Sequence, residues 1–164
     1  MTNNTSPEAL QRYIRSESIK NLFINIVINA AIAWWLLKDM AAISAWGEKG
    51  YGPDLIITAF LMSAIISGIF IALHRRKRNS GIFTDLPAQT SGLAARLPFN
   101  PWLAALALGL IGVVCAVPPL LALFALLGIQ TMDTVHYVLV KGVWAGILAA
   151  LLVPQAIRHG LRDS

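Results

Sequence analysis

The sequence predicts an all-α integral membrane protein, with four transmembrane helices preceded by a short N-terminal amphipathic helix. Three observations carry that prediction. Apolar residues make up 57 % of the chain and charged residues 13 %, a balance suited to lipid and poor for a water-soluble domain. From Leu97 to Met132, about 36 residues pass without an Asp, Glu, Lys, Arg or His, a longer apolar run than a soluble domain of this size uses. The basic residues also sort by side: of the 13, ten flank one side of the predicted spans, only Lys38 and Lys49 flank the other, and Lys141 lies within a span.

Taken in order, Ser6 to Lys20 reads as the amphipathic helix. Ser6 suits the N-cap, Pro7 the first helical position, and Glu8 the positive helix end. Leu10, Tyr13 and Ile14 share a face that would rest on the membrane, while Arg12, Arg15 and Lys20 would meet anionic headgroups.

The first span covers about residues 21–37, with Trp34 and Trp35 where interfacial aromatics belong. Small residues follow at positions 41–45, but Asn21, Asn25 and Asn29 within the apolar stretch argue against a cleaved signal peptide. Asp39 to Asp54 is polar and rich in turn residues. The second span, about 55–74, is bracketed by Asp54 and by Arg75, Arg76, Lys77 and Arg78. Residues 75–101 form a connector too short to build a core of its own.

The third span, about 102–129, would measure roughly 42 Å as an unbroken helix, more than the roughly 30 Å hydrocarbon slab needs. Pro118 and Pro119 remove two backbone donors there, predicting a hinge: a kinked helix or two half-helices. The fourth span runs from about 134 to 157. All 164 residues then form a single membrane domain. By the charge tally, both termini and the connector are cytoplasmic, and the chain belongs in a plasma membrane, with the bacterial inner membrane as the expected home of so compact a protein.

Lys141 is the one formal charge inside a span, so it is the leading polar candidate. It could snorkel to the headgroups, pair with Asp54 or Asp133, or present a positive site to an anion. Asn25 and Asn29 share a stripe, suited to hydrogen bonding between helices or to a permeation path. Thr58 and Ser63 fall at depths overlapping those of Asn29 and Lys141, which permits one small polar cluster. Ala59, Ser63 and Ser67 on the second span, and Gly142, Gly146 and Ala150 on the fourth, form small-residue stripes suited to close helix contact. The second stripe could join copies of the chain and gather several Lys141 side chains around an axis.

No constellation suggests catalysis. The histidines are scattered, zinc spacing is lacking, and a phosphate loop, a serine elbow and paired intramembrane carboxylates are all missing from the sequence. No metal, cofactor or nucleic acid is expected, because the positive charge follows topology and not a patch. Cys115 should be a buried, inert thiol, and Asp133 with His136 an interfacial pair. The expected partners are the lipid bilayer and either further copies of the chain or a larger membrane protein. The leading functional expectation is a small oligomeric channel or transporter; the alternative is a nonconducting subunit or scaffold.

Overall fold

A computed structural model describes residues 7–81 and 92–162. Helix α1 spans Pro7–Leu37, α2 Tyr51–Asn79, α3 Leu93–Arg96, α4 Pro101–Leu126 and α5 Thr134–Gly160; strands β1 and β2 are Ala42–Ser44 and Thr131–Asp133. Four of these helices are long and apolar enough to cross a membrane, which places the protein in one.

Helix α5 is the axis of the bundle: 56 % of its most apolar window is buried, against 17 % for α1. Helix α1 lies along α5, α5 along α2, and α2 along α4, while α4 and α5 meet only briefly. Glycines set the closest approaches. A Cβ on Gly142 would stand 3.0 Å from the Ile26 carbonyl oxygen, and one on Gly146 only 2.7 Å from that of Leu22. The Gly142 and Gly146 stripe is therefore filled by α1 of the same chain, which leaves that face unavailable for a second copy. On the other flank, a Cβ on Gly112 of α4 would come within 2.4 Å of Ser63 Oγ.

Four expectations need correction. The N-terminal amphipathic helix is not a separate element: α1 runs unbroken from Pro7 through the first span, because no Pro or Gly interrupts it, and it is apolar more than amphipathic. Leu10 and Ile14 bury against Val153 and Ile157 of α5 and Leu161 just past its end, so protein covers the face expected on the membrane surface. Ser6, the expected N-cap, lies outside the described residues.

The all-α reading also missed a small antiparallel ribbon, in which Ala42 pairs with Asp133, Ile43 with Met132 and Ser44 with Thr131. Strands of three residues are too short to show an alternating pattern in sequence. The ribbon joins the loops at one end, which is called the ribbon end below; the opposite, basic end is called the arginine end.

The third span is one continuous helix, and the two half-helices allowed by Pro118 and Pro119 do not form. Both prolines are exposed, and nearby the Trp144 indole N–H donates to the Ala116 carbonyl at 3.3 Å, linking α5 to this stretch. The helix stops at Leu126, short of 129, because Gly128 takes a φ of +70°. There the Gly128 N–H reaches the Ala125 carbonyl and the Ile129 N–H that of Phe124, a Schellman closure. Last, Cys115 is exposed on α4 and not buried.

Candidate functional site

Asp54 occupies the first turn of α2, where the positive end of the helix favours a carboxylate. The expected span boundary had left it in the loop, but α2 starts at Tyr51 and carries it into the bundle. Across from it, Tyr137 and Lys141 lie four residues apart on α5 and so present one face. Lys141 Nζ donates to both Asp54 oxygens, at 2.8 and 2.6 Å, and the Tyr137 hydroxyl donates to the same carboxylate. The Lys141 side chain is 3 % exposed and that of Asp54 30 %, so the carboxylate is the open side of the pair. An ammonium this deep requires a full countercharge, and Asp54 supplies one.

Around this pair the ribbon end is tightly tied. The Thr134 hydroxyl donates to the carbonyls of Leu37, at 3.3 Å, and Met40, joining the start of α5 to the end of α1. The Tyr51 hydroxyl donates to the Ile129 carbonyl at 2.6 Å, and its ring meets Phe124 edge-on with centroids 5.3 Å apart. Asp133 caps α5, accepting from the His136 backbone N–H at 3.1 Å and pairing with the His136 ring. That N–H, helped by the ring, holds the Asp133 carboxyl below the usual carboxylate range.

A cavity of about 280 Å³ opens over the Asp54–Lys141 pair, between the last turn of α1 and the first turn of α2. Ala33, Leu36 and Leu37 form one wall, Pro53 and Ile57 the other, and Glu48 and Lys49 its rim. A second, shallower crevice of about 750 Å³ lies between the end of α4 and the ribbon, beside Trp46, Tyr51 and Gln130.

The other polar candidates do not join this site. Asn25 and Asn29 are buried on α1, and each donates its side-chain amide to the carbonyl four residues earlier, at 2.9 and 3.0 Å. Asn29 also reaches the Met62 sulfur at 3.5 Å. Their donors thus serve mainly their own helix, a use the sequence reading had not considered. Thr58 sits half-buried one turn below Asp54. Ser63 and Ser67 are fully buried, and among the described residues their hydroxyl oxygens have no hydrogen-bond partner. Ser63 faces Gly112 of α4, whereas Asn29 contacts Met62, so the single polar cluster drawn from depth alone is not assembled. Ala150 is half-buried on α5.

Tyr137 is the site residue that sequence reasoning missed. Its four-residue offset from Lys141 was the available signal. Among the described residues, no group of three or more His, Cys, Asp or Glu side chains is placed to hold a metal ion. His74 instead bonds the Phe70 carbonyl at 2.7 Å and the Tyr13 hydroxyl at 3.0 Å, and His159 bonds the Pro98 carbonyl at 2.8 Å. No protein-family model, curated protein or solved structure matches the chain.

Proposed function

We propose that this protein is a nonconducting membrane subunit or scaffold, whose intramembrane polar groups are satisfied within the bundle instead of lining a conduit. The observation that carries this reading is the closure of Lys141 onto Asp54 and Tyr137. An ammonium bound to both oxygens of a carboxylate presents little net charge to a passing anion. Two further observations support it. The stripe that could have gathered copies around Lys141 is filled by α1, and the amide donors of Asn25 and Asn29 are used on their own helix backbone.

In this reading the arginine end and both termini face the cytoplasm of a cell whose plasma membrane, a bacterial inner membrane, holds the chain. No enzymatic step is assigned to it. The lipid-facing surfaces of α1 and α4 remain for association with a second copy or a larger membrane protein.

One observation favours the rival transporter reading, namely the cavity resting on the Asp54–Lys141 pair. Reconstitution into liposomes separates the two. The scaffold reading expects proton, potassium and chloride flux equal to that of empty vesicles, for the native protein and for Lys141→Met and Asn29→Leu alike. A protein-dependent flux that Lys141→Met abolishes while the protein still assembles overturns it.

A further inference from the structure

The groove at the ribbon end has a composition that selects a ligand. Its apolar lip is formed by Leu36, in the last turn of α1, and Ile57, in the second turn of α2, which are 56 % and 57 % exposed and lie near the ends of two membrane helices. Its charged lining is balanced: Asp54 and Lys141 neutralise each other on the floor, and Glu48 and Lys49 place one negative and one positive charge at the rim. A group with a net charge would meet a rim charge of its own sign, whereas a zwitterion can satisfy both. The cavity volume of about 280 Å³ equals roughly nine waters, room for a headgroup and far less than a helix needs.

The lining also discriminates between cations. Quaternary ammonium groups are held by aromatic cages, and none of the residues forming this groove is aromatic. A primary ammonium, by contrast, donates hydrogen bonds that the carboxylates of Glu48 and Asp54 accept. Lys49 at the rim supplies donors for a phosphate.

We infer that this groove, between the end of α1 and the start of α2, binds a phosphoethanolamine group, and that the group is the headgroup of a phosphatidylethanolamine lipid. The apolar lip points to the lipid over the free zwitterion, because acyl chains leaving the headgroup would lie against Leu36 and Ile57. The inference goes beyond the scaffold reading and does not depend on it: the flux experiment can fail without touching the groove.

Native mass spectrometry of the full chain, released from micelles doped with equal amounts of phosphatidylethanolamine, phosphatidylcholine and phosphatidylglycerol, provides the test. The expected result is retention of phosphatidylethanolamine by about tenfold over either competitor. Glu48→Lys changes an exposed rim residue, so it should leave thermal stability unchanged while shifting preference toward phosphatidylglycerol. Equal retention of all three lipids, or a preference unmoved by Glu48→Lys in a protein of native stability, overturns the inference. Displacement of the lipid by free phosphoethanolamine at an equal concentration overturns the assignment of a lipid as the source.

Discussion

At the ribbon end Lys141 meets a full carboxylate, whereas at the arginine end Arg75 and Arg162 meet backbone carbonyls. Arg75 donates to the Phe99 carbonyl at 2.6 Å, Arg162 to those of Ala94 and Leu97 at 3.0 and 2.9 Å, and Arg78 to that of Leu161. The Phe99 ring lies beneath the Arg75 and Arg162 guanidinium groups, with centroids 4.6 and 5.9 Å away. The difference follows from depth. Arg75 and Arg162 are only partly buried and keep some hydration, so a carbonyl's partial charge is enough; Lys141 is nearly sealed and requires a whole opposing charge. The helix ends add to this contrast, because α2 and α5 both finish at the arginine end, where basic residues in the last turn offset the exposed carbonyls.

The contrast is tested most severely by removing Asp54. Asp54→Ala strands a buried ammonium and the Tyr137 hydroxyl, and should lower stability by about 3 kcal/mol, near the low end for a broken buried pair because Asp54 is partly open. Replacing both partners, Asp54→Leu with Lys141→Met, should recover most of that loss, since two apolar side chains need no countercharge. Thermal unfolding in micelles measures both. A loss in Asp54→Ala no larger than a surface substitution gives would mean that the lysine reaches the headgroups without help.

This pair also marks how far the sequence could be read. Four spans were legible because a long apolar run between charged brackets has one physical solution in lipid. Asp54 could be named as a partner for Lys141 because both fall near the same end of adjacent spans. Helix rotation could not be read: Ser63 and Asn29 share a depth, yet they sit on different helix contacts, toward α4 and toward Met62. The ribbon and the continuation of α1 beyond the membrane were illegible for a related reason. Ile43 is fully buried where β1 pairs with β2, opposite Met132, a contact between segments far apart in the chain. Leu10 and Ile14 looked like a membrane-facing stripe because nothing local distinguishes lipid from α5 as the surface that buries them.

At the arginine end the corresponding change is smaller. Arg162→Ala removes two hydrogen bonds to the carbonyls of Ala94 and Leu97, and because the Arg162 side chain is itself partly exposed its removal opens both to water, so the change should cost about 1 kcal/mol. Arg162→Lys should recover part of it, since both bonds leave the single Nη1 nitrogen, which an ammonium can replace as donor, while the planar guanidinium's contact with the Phe99 ring is lost. The same unfolding measurement ranks these variants against Asp54→Ala. If Arg162→Ala proved as damaging, the arginines would be as deeply committed as Lys141 and the two ends would not differ in kind.

The smallest effect comes from acid at the ribbon end. The Asp133 carboxyl titrates below its ordinary 3.8 in the folded protein, chiefly because it accepts the His136 backbone N–H. A carboxyl depressed by folding contributes stability that is complete above the ordinary value and is lost as pH falls through the folded value. Hydrogen exchange at the His136 amide, corrected for the intrinsic pH dependence, should therefore report weakening protection at pH values below about 3.8. Asp133→Asn keeps an acceptor at the cap without a titrating charge, so its protection should be flat across that range. The Leu161 amide, at the arginine end, donates to the Ile157 carbonyl with no carboxylate in the bond, and its protection should hold through the same titration. Parallel loss at both amides would indicate that acid unfolds the whole bundle and does not release one cap.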